Sequence, residues 1–252
     1  MLPIERRSEI LRELMVNGKV VVSGLAERYG VTEETIRRDL ERLESDGYAK
    51  RTYGGAVRND DITSDLPFTV RKQTNVEGKK YIAEKIGALI EDNNSLLLDS
   101  STTALFTVKS IFSKKNLTII TNSVEILLDL PQNNDWNVIS LGGNYQSDSK
   151  SFYGDGAQEA VGKYYADYAV ISCKGLDTAK GITDTREPFA QLKRRFIKSA
   201  RKTILAIDHT KFDKISFVNF SEICDIDIVV TDVRPSEKWE SIFEYNNIEL
   251  YY

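Results

Sequence analysis

The sequence is poor in the residues that metal centres, disulfide scaffolds and membrane spans require. It holds one histidine and two cysteines in 252 residues. Cys173 and Cys224 each sit in an apolar stretch typical of a buried strand or its flank. Two such thiols make no disulfide framework, and a reducing cytoplasm is the simple reading. The same scarcity argues against zinc, which draws on several Cys and His ligands; no metal ligands and no cofactor are expected. No run of about 18 apolar residues occurs, so no membrane span is expected. Met1–Met15 is charged throughout, so no export signal is expected. There is no Ser-x-Gly elbow and no Walker loop, and Gly142-Gly143 alone is too short for a nucleotide fingerprint. Positive charge is not in excess either: 34 Lys and Arg against 38 Asp and Glu give a net charge of −4. That excludes a polycation that coats nucleic acid in general, but it leaves room for a local basic site.

What is present suits a globular protein with a useful core: 41% hydrophobic and 29% charged residues. The length fits one large domain, or a small one followed by a medium one. Charge separates along the chain. Residues 1–58 hold 11 Lys and Arg against 10 Asp and Glu, and the acidic surplus lies beyond them. Within this first part, "GYAKRTYGGAVR" (Gly47–Arg58) has three cations and no acid.

Three short helical patterns come first. Pro3 suits a first turn; Ile10, Leu11 and Leu14 give one apolar face, and Asn17-Gly18 stops it. Val20–Val22 reads as a short extended piece. Ser23 is placed as the cap of a brief helix carrying Leu25, Ala26 and Tyr29, with Gly30 supplying the left-handed stop. Thr32 caps a third helix whose first turn, Glu33 and Glu34, suits the positive helix end. In it Ile36, Leu40 and Leu43 recur at i, i+4, i+7 and form the buried stripe. At about 100° per residue, Thr35, Arg38 and Arg42 point away from that stripe, with Arg37 at its flank. Tyr48–Thr52 and Ala56–Arg58 around Gly54-Gly55 read as a β-hairpin. The order is a winged helix-turn-helix, residues 1–58. Residues 59–68, "NDDITSDLPF", read as a linker. Residues 69–252 begin with a helix bearing Ile82, Ile86, Leu89 and Ile90. Apolar runs at 96–100, 117–121, 136–141, 168–173, 203–208, 227–232 and 248–252 then alternate with helical patterns. That alternation predicts an α/β domain with a largely parallel sheet covered on both faces.

A helix after a tight turn can enter the major groove of double-stranded DNA, with the preceding helix crossing the backbone. Arginine suits that place because its fork of donors matches guanine O6 and N7, or two phosphate oxygens. The candidate DNA contacts are Ser23, Thr32, Thr35, Arg37, Arg38 and Arg42, with Lys50, Arg51 and Arg58 on the hairpin gripping phosphates. On this reading the helix's acids neutralise the module's far face. The competing reading of an Arg-Arg pair among glutamates is a solvated, salt-bridged surface; the complete helix-turn-helix-hairpin order and the acid-free hairpin favour DNA.

In the second part, polar residues recur at the ends of successive strands, where open α/β sheets bind ligands. Asp99, Ser100, Ser101, Thr102 and Thr103 end the first and open a helix, whose free N–H groups suit an anion. Thr121 and Asn122 end the second. Gly142 and Gly143 end the third and allow close backbone approach. Lys174 and Gly175 end the fourth, and Lys211 follows the fifth. Thr183, Asp184 and Glu187 lie between these last two, with Lys193 on the next helix. Any one of these is by itself an ordinary turn or cap residue. Together they read as a crevice in which Lys174 and Lys211 pair with a phosphate while Asp99, Asp184 and Glu187 accept sugar hydroxyls.

The segment "TIRRDLERLESDGYAKRTYGGAV" closely resembles the N-terminal signature of the DeoR family of bacterial transcription regulators, and the resemblance runs through nearly the whole chain. Tyr53 stands where many members carry histidine, and Lys174 where many have a small or neutral residue. The resemblance implies a sequence-specific DNA-binding regulator, most often a repressor of a sugar-utilisation operon. It also implies a second domain like sugar-phosphate isomerases in fold that senses a phosphorylated sugar. A homo-oligomer, dimer or tetramer, is expected because helix-turn-helix readers usually pair. Two other readings stand beside it: an isomerase carrying a DNA-binding domain, with Asp184 or Glu187 as the base, and a DNA-binding protein whose second domain only oligomerises. The lone His209, beside Lys211 in a strand-end loop, is read as a surface or crevice-lining residue rather than as a base.

Overall fold

The structure, a computed structural model, describes residues 1–59, 66–131 and 135–252. It divides into two compact units at Thr74/Asn75.

The first unit opens with α1 (Pro3–Asn17), stopped by the left-handed Gly18, then β1 (Lys19–Val21) and α2 (Val22–Tyr29), stopped by Gly30. Next come α3 (Glu33–Ser45), the hairpin β2 (Ala49–Thr52) and β3 (Gly55–Arg58), and α4 (Phe68–Gln73). Ile10, Leu14, Val20, Leu25, Ile36, Leu40, Leu43, Ala49 and Ala56 form one buried core. The strand order is β1-β3-β2, antiparallel throughout. The register pairs Thr52 with Gly55, so the turn is Tyr53-Gly54 rather than Gly54-Gly55. Gly55 is held in the strand because a Cβ there would lie 1.9 Å from the Val20 carbonyl oxygen. Most of the segment read as a linker, residues 60–65, falls outside the described residues. Beyond it Leu66 and Val70 pack on the first unit's core, so α4 belongs with that unit, whereas the sequence reading began the second domain at Thr69.

The second unit starts with α5 (Val76–Leu89), β4 (Ser95–Leu98), α6 (Thr102–Ser110), β5 (Thr118–Thr121), α7 (Val124–Asp129) and β6 (Asn137–Ser140). It continues with β7 (Asn144–Gln146), β8 (Ser151–Tyr153), α8 (Asp155–Val161), β9 (Ala166–Ile171), β10 (Gly175–Asp177), β11 (Gly181–Asp184) and α9 (Glu187–Lys198). It closes with β12 (Ala200–Ala206), β13 (Val218–Ser221), β14 (Ile228–Val230), α10 (Glu237–Tyr245) and β15 (Glu249–Tyr251). The seven apolar runs are the seven strands of one sheet, in the order β15-β14-β12-β9-β4-β5-β6 and parallel at every pairing. Leu96, Leu97 and Leu98 are all fully buried, so both faces are covered, as parallel strands require. One face packs Leu97, Ile120, Ala169, Ile171, Leu205 and Val229 against Val161, Phe196, Trp239 and Phe243. The chain order runs outward in both directions from the β4/β9 pair, which makes that pair the topological switch point where such sheets open a crevice. Two small antiparallel sheets, β7-β8 and β10-β11-β13, flank the main one.

Candidate functional site

In the first unit the cap on α3 is as the sequence indicates: Thr32 Oγ1 accepts from the Thr35 N–H at 3.2 Å, and the two hydroxyls are 2.9 Å apart. Ile36, Leu40 and Leu43 face the core, and Arg37, Arg38 and Arg42 are exposed. The acids do not sit on a far face, however. Glu33 pairs with Arg37 at 2.6 Å, Glu34 with Arg38 at 3.3 Å and Asp46 with Arg42 at 3.4 Å, each one turn away along the same surface. Spacing of i, i+4 brings such groups together on a helix. Exposed pairs of this kind contribute about 0–1 kcal/mol, so a phosphate or a guanine edge can displace the carboxylates.

Asp39 has a different task. It lies on the buried side of α3, accepting from Arg6 of α1 at 2.5 Å with Arg7 at 3.5 Å, and so fixes the helix that carries the arginines. The sequence signal was an acid at i+3 within the apolar stripe.

Ser23 does not cap α2. Val21 occupies the cap position without a side-chain bond, and Ser23 is exposed in the first turn. On the hairpin, the register puts Ala49, Arg51, Ala56 and Arg58 on the face toward the helices. Arg51 binds Glu44 of α3 through its backbone N–H at 2.8 Å and Nε at 2.6 Å. Those hydrogen bonds hold the Glu44 carboxyl below the usual range. Arg58 donates to the Met15 carbonyl at 3.2 Å. Lys50 is on the opposite, open face, in one row with Val57 and with Lys19, which the sequence reading passed over. Between α3 and the hairpin lies an open groove of ≈ 370 Å³, lined by Arg37, Glu44, Arg51 and the fully exposed Tyr53 among others.

In the second unit Asp99, Asp184 and Lys193 come together beside the Ser172 backbone, at the ends of β4 and β9, and are occupied with one another. Lys193 Nζ lies 2.6 Å from Asp184 Oδ2, 2.6 Å from the Ser172 carbonyl and 3.5 Å from Asp99 Oδ2. Asp99 also accepts from the Ser101 N–H at 2.9 Å and the Ser172 N–H at 2.9 Å, and Asp184 accepts from the Thr185 N–H at 2.7 Å. Both carboxylates are buried, and the lysine side chain is 12% exposed. Burial alone would lower the Lys193 ammonium, but the facing Asp184 and Asp99 carboxylates outweigh it and hold it above the usual lysine value. The two acids read as acceptors of sugar hydroxyls are thus paired with the lysine read as a ligand contact. Glu187, the third, is exposed and pairs with Arg194 at 2.9 Å.

Of the others, Ser101 caps α6 through the Ala104 N–H at 3.0 Å, with Thr102 and Thr103 buried and Ser100 half-buried in the same turn. Thr121 donates to the Leu98 carbonyl at 2.7 Å, tying β5 to β4. Asn122 donates to the Phe152 carbonyl at 2.8 Å, while its Oδ1 is buried without a partner. Gly142 and Gly143 both have left-handed φ; a Cβ on Gly143 would meet the Tyr153 carbonyl at 2.5 Å, whereas the space at Gly142 is open. Gly175 is required by the Lys214 carbonyl, 2.3 Å from where its Cβ would be. Thr183 bonds the Gly175 carbonyl at 3.1 Å and the Ser216 N–H at 2.8 Å. Lys174 is half-buried and its N–H bonds the Thr183 carbonyl at 2.9 Å.

Lys211 is half-buried in a 3-10 turn (His209–Lys211). Burial works to raise the neighbouring Asp208 carboxyl, but the charge of Lys211, the Thr210 hydroxyl and N–H, and the charge of Lys79 hold it below the usual range. Burial pushes the Cys173 thiol up to about 12, against the pull of Lys193 and Lys211. Among the described residues no cluster of three or more His, Cys, Asp and Glu could hold a metal ion, and no helix is long and apolar enough to cross a membrane.

Comparison with known proteins accounts for both halves. Residues 6–61 match the DeoR-like helix-turn-helix domain and residues 74–233 the DeoR C terminal sensor domain. The uncharacterized HTH-type transcriptional regulator YulB of Bacillus subtilis is 36% identical over 92% of this chain and 90% of its own length. The L-fucose operon activator of Haemophilus influenzae is 31% identical over 95% and 96%. Among solved structures, ribose 5-phosphate isomerase from Plasmodium falciparum aligns with 53% of this chain and 52% of its own, at 13% identity and a TM-score of 0.38. Joining a winged helix-turn-helix to a sensor domain built on a parallel sheet, the chain belongs to the DeoR family of transcription regulators.

Proposed function

We propose that the protein is a cytoplasmic repressor of a carbohydrate-utilisation operon, controlled by a phosphorylated sugar bound at the strand ends of the second domain. The observation that carries the DNA half is the exposed row Arg37, Arg38 and Arg42 on a helix locked from behind by Asp39 and Arg6. In this reading α3 enters the major groove; Arg38, the most exposed of the three, meets base edges, and Thr35 adds its methyl or hydroxyl. Ser23, exposed in the first turn of α2, meets a phosphate. Lys50, with Lys19 beside it, and the tip of the hairpin lie along the backbone, while Arg51 and Arg58 brace the hairpin from its inner face.

The ligand half rests on Lys211, Lys174, the first turn of α6 and the open space at Gly142, each beyond the C-terminal end of a strand of the main sheet. A phosphate is taken by the lysines and helix N–H groups; sugar hydroxyls meet Asn122, whose Oδ1 has no partner of its own. Asp99, Asp184 and Lys193 hold the walls of the crevice in place. No turnover accompanies binding in this reading: Asp184 is held by Lys193, and Glu187, the other carboxylate a proton-abstracting base could use, is exposed and turned to Arg194. Two copies assemble so that two α3 helices read half-sites of matching symmetry.

The test is a thermal-shift screen of the full chain against phosphorylated sugars, then gel shifts on DNA upstream of its own gene with and without the sugar that binds. Binding without turnover, and a five- to 150-fold change in DNA affinity, is the expected result. Turnover, or a ligand that leaves DNA affinity unchanged, would overturn it. Sedimentation showing only monomer with DNA present would overturn the paired half-sites. Activation is the second reading, favoured by the name of the Haemophilus influenzae relative; deletion of the gene lowers rather than raises operon transcription in that case.

A further inference from the structure

The chain enters the second domain at Asn75, and that residue is held in an unusual way. Its backbone is left-handed (φ 47), a conformation asparagine tolerates better than other residues with a Cβ. Its Nδ2 donates to Asp232 Oδ2 at 2.8 Å, across 157 residues of sequence. Asp232 lies just beyond β14 and its side chain is buried. The same carboxylate accepts from the His209 N–H at 2.7 Å, and its Oδ2 is 3.0 Å from His209 Nδ1. His209 opens the 3-10 turn that ends in Lys211. A Cβ on Gly78 would lie 2.4 Å from Asp232 Oδ2 and 2.5 Å from Asn75 Nδ2, so only glycine leaves room for this meeting. Lys79, one turn into α5 and buried, acts on Asp208 at the other side of the same turn. A polar link through Asp232 therefore runs from the turn that carries Lys211 to Asn75 at the start of α5.

We infer that Asp232 is a positioning residue for ligand response: by binding His209 and Asn75 with one carboxylate, it makes the Lys211 turn and the entry point of the second domain move as a unit. This rests on the reading of Lys211 as a phosphate contact. A phosphate arriving at Lys211 competes with Asp208 for its charge and displaces the turn. His209 then carries Asp232, and Asp232 carries Asn75, where the connection from the DNA-reading unit begins. Coupling between distant sites is carried by hydrogen-bonded and packed groups, and this carboxylate joins the Lys211 turn to the start of the second domain.

The experiment uses the full chain and a panel of ribose 5-phosphate, glucose 6-phosphate, fructose 6-phosphate, fructose 1-phosphate and glycerol 3-phosphate. For the panel member that binds the wild type, binding and operator affinity are measured in Asp232→Asn, in Asn75→Gly, and in both together. Asn75→Gly removes the donor while suiting the positive φ, so it carries the test alone if Asp232→Asn does not fold. Each variant is expected to bind the sugar phosphate and the ligand-free operator as the wild type does. Each should lose about two- to thirtyfold of the ligand-induced change in operator affinity, and the double variant no more than either single one. A full response in both single variants overturns the coupling role, as does loss of ligand binding itself. If no panel member binds the wild type or alters its operator affinity, the sugar-phosphate reading fails, and this inference fails with it.

Discussion

Replacing Lys193 by methionine keeps the volume of the stem and removes one charge and three donors. In the wild type that ammonium sits 2.6 Å from Asp184 and 3.5 Å from Asp99, both 2% exposed, and 2.6 Å from the Ser172 carbonyl. Methionine would leave two buried carboxylates without their cation. Removing one partner of a buried ion pair costs about 3–5 kcal/mol, a large part of a typical stability of about 5–15 kcal/mol. At roughly 2–4 °C per kcal/mol for a domain of this size, the melting temperature should fall by about 6–20 °C. Tryptophan fluorescence is the suitable probe, because Trp136 and Trp239 both lie in the second domain and no tryptophan lies in the first. The exposed Lys198→Met on the same helix should change stability by about 0.5 kcal/mol or less. The pH dependence follows from the direction of the lysine shift. Its folded value is raised above 10.5, so its contribution is complete below that value and is lost only as pH rises through the folded one. The difference between wild type and variant should therefore show no step from this lysine between about pH 6 and 9. A melting temperature within about 3 °C of wild type would refute the claim that this lysine holds the carboxylates in place.

Other outcomes follow from particular residues. Gly55→Ala forces a methyl against the Val20 carbonyl; it should destabilise the first domain by about 1–3 kcal/mol or more, read as faster proteolysis within residues 1–59, and weaken DNA binding through the displaced hairpin. Glu34→Gln should leave stability within about 1 kcal/mol and DNA binding no weaker than wild type in a gel shift, because its pair with Arg38 is exposed. Of the two thiols, iodoacetamide at neutral pH should label only the exposed Cys224 in the folded protein and both after denaturation; labelling of Cys173 without unfolding would contradict its burial and its raised pKa.

The sequence carried the architecture well because periodicity is a local property. Each of the seven apolar runs is a strand of the main sheet, and the runs of its inner strands are continuously apolar because both their faces are covered. The three-residue strands β7, β8 and β10 are too short and too polar to leave that trace. The turn of the hairpin was misplaced by one residue because the need for Gly55 comes from Val20, more than thirty positions earlier. Helix α4 was assigned beyond the linker because nothing in its sequence says that Val70 packs on the first core. The arginines of α3 were found, but their acids were put on the wrong face, although the i, i+4 spacing of Glu33 to Arg37 and Glu34 to Arg38 was visible. At the strand ends, the mutual neutralisation of Asp99, Asp184 and Lys193 is not legible, since the three meet only once the strands are ordered. Asp232 and Asn75 left no signal at all.

The division of labour between the two domains is tested most directly by titrating the same operator duplex with Arg38→Ala and Lys211→Ala, each with and without a sugar phosphate that binds the wild type. Arg38→Ala should lose about 1–3 kcal/mol of specific affinity. Lys211→Ala should hold the duplex as tightly as wild type yet respond weakly to the sugar phosphate. Full affinity and specificity in the first variant, or an undiminished response in the second, would contradict the account.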